Sequence, residues 1–118
     1  MARIRTFKPE FFSDEGIGSC TYPARLLALA VLNLCDREGR FVYVPMQLHA
    51  HAFPWDTELS IDGLLLELQG IDYLFRYRVG NKTVIQVRKF TEHQRIAGTE
   101  AKGDSKLPEY NEISHVLL

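Results

Sequence analysis

Residues 60–87 read SIDGLLLELQGIDYLFRYRVGNKTVIQV, and the hydrophobic period changes inside them. In the first half Ile61, Leu64, Leu65 and Leu68 fall on one side of a helix. Ser60 is placed to cap its start and Gly70 marks its exit. In the second half, Leu74 to Val79 and Thr83 to Val87 are rich in aromatic and β-branched residues. Gly80-Asn81-Lys82 between them is turn chemistry, so the segment predicts a β-hairpin. A helix passing straight into a hairpin sets the frame for the rest of the chain.

Upstream, Thr21 serves as N-cap and Pro23 suits the first turn of a core helix reaching about Asp36. Leu26, Leu27, Ala30, Val31, Leu34 and Cys35 follow the helical repeat, and Leu29 and Leu32 widen the apolar surface until the helix must be largely buried. Gly39 stops it. Phe41, Tyr43 and Pro45 suggest a short extended segment before a small helix, Met46 to Ala52. Three main helices followed by a hairpin predict an α+β chain with the element order of a winged helix-turn-helix, the hairpin being the wing. Residues 1–96 are expected to form that domain with a basic N-terminal arm, and residues 97–118 a polar linker or C-terminal tail.

With 118 residues the chain has room for one hydrophobic core. Its longest apolar run, Leu26 to Leu32, is too short to cross a bilayer, and Met1 to Arg5 leads into no signal-peptide stretch. Cys20 and Cys35 lie apart with no metal-ligand spacing, so they read as buried thiols of a cytoplasmic protein. The net charge of −1 conceals strong polarisation. Residues 1–12 carry Arg3, Arg5 and Lys8 against Glu10; residues 13–72 carry three arginines against nine acids; residues 73–96 carry six basic residues against one acid.

Four strings, MARIRTFKPEFFSDE, ARLLALAVLNLCDREGR, FPWD and FTEHQRI, occur in the order found in the N-terminal module of phage and prophage replication-initiation proteins, and residues 1–96 resemble that module. The resemblance implies a winged helix of the DnaD-like or replisome-organiser type in the cytoplasm of a bacterial host. In longer relatives this module precedes a region that engages the replication machinery. This chain departs from that pattern beyond residue 96, so functions of that second region do not carry over.

The hairpin places Arg76 and Arg78 on one strand face and Phe75, Tyr77 and Val79 on the other. With Lys82 at the tip and Arg88 and Lys89 on the return strand, a basic face is expected to contact DNA phosphates. The alternative is that these arginines pair with the acidic middle of the chain. Arg3, Arg5 and Lys8 of the arm could lie along a groove, or the arm could be an edge strand anchored by Ile4 and Phe7. The third helix offers Asp62, Gly63, Leu66, Glu67 and Gln69 outside its apolar side, poor material for reading bases. A rival expectation is therefore a protein-binding inhibitor or adaptor, for example of a CRISPR or other host nucleoprotein complex, acting through Glu58, Asp62 and Glu67. A dimeric repressor is a third option, disfavoured by the acidic helix.

His49 and His51 fall on different sides of a helix, and His93 and His115 lack ligand neighbours, so no metal is expected. No nucleophile with a base, paired carboxylates or phosphate loop stands out, which predicts a protein that is not an enzyme and needs no cofactor.

Overall fold

The computed structural model describes residues 4–94 and 106–118. They form an α+β fold whose four-stranded antiparallel sheet runs in the order β1-β3-β2-β4. Two single-turn helices, α1 (Glu10–Ser13) and α2 (Glu15–Gly18), lead into α3 (Tyr22–Ala30). Strand β1 (Arg40–Val42), helices α4 (Pro45–Ala52) and α5 (Ile61–Gly70), strands β2 (Leu74–Val79) and β3 (Lys82–Val87), the single turn α6 (Phe90–His93) and β4 (Val116–Leu117) follow.

Local chemistry explains most of the boundaries. Thr21 caps α3 by accepting the Ala24 amide, with Pro23 in the first turn, and Ser60 caps α5 by accepting the Gly63 amide. The core helix is shorter than its apolar pattern suggests. After Ala30 it tightens into a 3-10 turn, Val31–Asn33, and Asp36 lies beyond it. There the Asp36 carboxylate accepts the amides of Glu38 and Arg40, so it folds the turn into β1. Helix α5 continues through Gly70, the expected exit. Its stop is Asp72, left-handed at φ 59°, with the Asp72 and Tyr73 amides returning to the carbonyls of Gln69 and Leu68. This is a Schellman closure with aspartate in the position glycine usually fills.

The main core lies between the helices and one face of the sheet. Leu27, Ala28 and Val31 of α3 and its 3-10 turn meet Leu65 and Leu68 of α5 and Leu48 of α4. Phe41, Leu74, Ile85 and Val87 close it from the sheet. Cys20 and Cys35 are both buried, the Cys35 thiol donating to the Val31 carbonyl at 3.3 Å. Tyr73 stands at the edge of this core and donates its hydroxyl to the Ala28 carbonyl.

Burial, and secondarily the nearby Cys35, pushes the Tyr73 phenol well above its ordinary value. An acid with a higher pKa in the folded chain binds its proton more tightly there, so the folded state loses stability as pH rises past the unfolded value of about 10. Below that pH the contribution is complete. Urea midpoints should therefore hold level up to about pH 9 and fall above about pH 10, and Tyr73→Phe should flatten that fall. An equally steep fall in the variant would assign it wholly to other groups, such as Tyr43 and Tyr77, whose phenols burial also raises.

The second face of the sheet has its own cover. Tyr77 and Val84 have no exposed surface and lie outside the main core cluster. Residues 106–118 pack over them: the Tyr77 ring stacks on His115 at 5.5 Å and meets Tyr110 edge-on at 5.4 Å. Its hydroxyl donates to the Pro108 carbonyl, Arg40 donates to the Leu107 carbonyl at 3.2 Å, and β4 pairs with β2 through Tyr77↔Leu117 and Arg78↔Val116. The end of the expected C-terminal tail is thus a docked segment of the sheet. Residues 97–105 of that expected linker lie outside the described residues, as do Arg95 and Ile96 of the expected domain.

Candidate nucleic-acid interface

Strand alternation divides the hairpin cations between two faces. Arg76 pairs with Ile85 in register and shares the helix-facing side with Leu74. Its side chain is only 12% exposed. It donates to Asp62 at 3.1 Å and to Gln69 at 2.5 Å, and its guanidinium lies 5.7 Å from the Tyr43 ring centre. The face carrying Arg76 and Arg78 is therefore the helix side, and the apolar face is the one roofed by residues 106–118. Pairing of an arginine with the acidic middle of the chain describes Arg76.

The other hairpin cations are exposed. Arg78, Lys82 and Lys89 have no carboxylate partner among the described residues, and Lys82 sits beside the tip glycine Gly80, left-handed at φ 61°. Arg88 is exposed and lies 4.4 Å over the Phe75 ring. Lys89 is left-handed at φ 57°, at the start of α6. The cations thus form two groups, Arg78 and Lys82 at the tip, Arg88 and Lys89 at the base.

The arm is extended and fastened to the body. Gln94 accepts the Thr6 amide at 2.9 Å and donates to the Thr6 carbonyl at 2.6 Å, a side chain acting as a strand partner. Arg5 donates to the carbonyls of Leu32 and Cys35 at 3.3 and 2.9 Å and sits 5.2 Å over the Phe90 ring. A cation at the carbonyl end of the core helix is favourable, so Arg5 holds structure together. Phe90 and Gln94 of the FTEHQRI string therefore anchor the arm, while His93 is exposed. Lys8 is exposed with no carboxylate partner among the described residues, and Arg3 lies outside them. Between arm and hairpin base is a cleft of about 690 Å³ lined by Phe7, Lys8, Phe11, Asp72, Lys89 and His93, among others. Both left-handed non-glycine residues border it.

The acids of the rival expectation separate as well. Glu67 accepts the amide and hydroxyl of Thr21, both at 2.8 Å, and so ties α5 to the start of α3. Asp62 accepts from Tyr43 at 2.7 Å as well as from Arg76, and Glu58 is exposed. These links between Asp62, Glu67, Gln69, Tyr43 and Thr21 join residues distant in sequence and have no periodic signature. His51 meets the Ala30 carbonyl at 3.0 Å and His49 faces Phe53, on different sides of α4 as expected. Among the described residues no group of three His, Cys, Asp or Glu could hold a metal ion.

No protein-family model, curated protein or solved structure matches the chain.

Proposed function

We propose that this chain is a winged-helix module that associates with DNA through phosphate contacts, related to the N-terminal modules of phage and prophage replication initiators. The order α3-β1-α4-α5-β2-β3, with β1 paired to β3 instead of β2, supports the winged helix, β2 and β3 being its wing. The observation that carries the DNA reading is the set of exposed cations without carboxylate partners, Arg78 and Lys82 at the wing tip and Lys89 at its base. Such groups release counterions from phosphates and give sequence-independent affinity. Lys8 adds to them from the arm. Arg5 and Arg76, engaged inside the fold, support this surface without touching the nucleic acid.

Helix α5, which a winged helix would present to the major groove, carries exposed Asp62, Gly63 and Leu66 and no Lys or Arg. Base-specific recognition through it is not part of the proposal. Nor is catalysis, a cofactor or a metal. The module acts in the bacterial cytoplasm, alone or as a homodimer, beside other components of the replication apparatus. No helix among the described residues is long and apolar enough to cross a membrane.

Anisotropy of labelled duplex and single-stranded DNA across a salt series tests the proposal. Log affinity should fall linearly with log salt, and Arg78→Ala with Lys82→Ala should lower the slope by about 2, near 0.9 for each phosphate that is no longer neutralised. Absence of binding at the lowest salt, or an unchanged slope, would reject it.

A further inference from the structure

Helices α4 and α5 leave a second concavity, far from the wing in character. It is an open groove of about 660 Å³ whose lining includes Tyr43, Met46, His49, Leu59, Ile61 and Asp62. Met46 is 82% exposed and Trp55, next to the lining residue Pro54, is 91% exposed. Large apolar side chains standing this far into water at the edge of a groove are the residue types that anchor protein interfaces. The His49 Nε2 atom is buried and has no hydrogen-bond partner among the described residues.

The charge around the groove has one sign. Between Phe41 and Phe75 the chain contains Asp56, Glu58, Asp62, Glu67 and Asp72 and not one Lys or Arg. Asp56 and Glu58 are exposed on the connection between the two helices, and the Asp62 side chain is 67% exposed. The adjacent Arg76 pairs with Asp62 and offsets its charge, which leaves Asp56 and Glu58 as the uncompensated acids beside the groove. Phosphate is repelled here and a cationic surface attracted.

We infer that the α4–α5 groove docks a cationic amphipathic segment of a partner protein. Its apolar side packs on Met46 and Trp55, and its Lys or Arg side chains face Asp56, Glu58 and Asp62. The basic wing and this acidic groove then allow one small module to hold DNA on one surface and a protein on another.

Trp55 is the single tryptophan of the chain, so its fluorescence reports on this site directly. The probes are a Leu/Lys amphipathic helical peptide and a Leu/Glu peptide with the same apolar side. The Leu/Lys peptide should shift Trp55 emission to the blue with saturable binding, and the Leu/Glu peptide should not. Asp56→Lys with Glu58→Lys should weaken binding by roughly tenfold or more, and Met46→Asp likewise. All three positions are exposed, so circular dichroism should confirm an unchanged fold. Arg78→Ala with Lys82→Ala should leave peptide binding intact, which separates this site from the DNA surface. Equal response to both peptides, no response to either, or binding unaffected by the substitutions would overturn the inference. So would a blue shift produced by duplex DNA, or by raising protein concentration alone, since each assigns the groove a different occupant.

Discussion

Gly39→Ala is expected to cost about 3–5 kcal/mol, the sum of a strained backbone and an overfilled core. Gly39 sits at φ +82°, where an L side chain is disfavoured, and a Cβ there would lie 2.5 Å from Phe90 Cβ and 2.7 Å from Cγ. Neither neighbour can retreat cheaply. Phe90 is only 3% exposed, and Gln86, whose Nε2 would stand 3.2 Å from the new methyl, donates to the Glu38 carbonyl. Phe90→Ala alone should cost about 3–5 kcal/mol as a large-to-small core change, and it also removes the ring beneath Arg5. The two substitutions together should cost somewhat less than their sum, because truncating Phe90 removes the Cγ contact at 2.7 Å while the Cβ contact at 2.5 Å and the positive φ remain. Urea unfolding of the four proteins measures this. Strict additivity would show that the contact with the Phe90 ring carbon Cγ adds nothing to the penalty, leaving it to the backbone and the Cβ contact.

The second large effect concerns the docked C-terminal segment. Tyr77→Ala should destabilise the full chain by about 3–5 kcal/mol, since it removes a ring with no exposed surface together with the hydroxyl that donates to Pro108. Removing residues 106–118 should be of comparable consequence. It uncovers Tyr77 and Val84 and leaves the outer edge of β2 unpaired, the condition that invites edge-to-edge association. In the shortened chain Tyr77→Ala should cost much less, about 1 kcal/mol, because Tyr110 and His115 are no longer there to pack against it. Denaturant midpoints give the energies, and sedimentation at rising concentration shows any association. If Tyr77→Ala costs the same with and without residues 106–118, the segment is not what buries the ring.

Much of the helical body was legible in the residue pattern because it depends on near neighbours. Ser60 and Thr21 cap the helices their positions suggest, and the Ile61, Leu64, Leu65, Leu68 repeat is the buried side of α5. The hairpin follows from β-branched and aromatic residues around Gly80. The cationic surface was legible only as a composition. Counting charges over residues 73–96 treats Arg76 and Arg78 alike, yet one is enclosed by Asp62 and Gln69 and the other is exposed. Alternation says that the two share a face without saying which face the helices cover. In the same way Arg3, Arg5 and Lys8 look equivalent along the arm, although Arg5 is held at the end of the core helix and Lys8 projects into water.

By itself the sequence determined the α+β class, the helix starts and the hairpin, since capping, periodicity and turn chemistry act over a few residues. It also determined the polarised charge. Tertiary structure decided which of those charges remain available, because ion pairs such as Arg76 with Asp62 and clamps such as Gln94 with Thr6 join residues far apart in the chain. It decided too that a polar C-terminal stretch would return as the roof of the sheet. That outcome rests on the outer face of β2 and β3 offering Phe75, Tyr77 and Val84 for Tyr110 and His115 to cover, a complementarity visible only once the strands are paired.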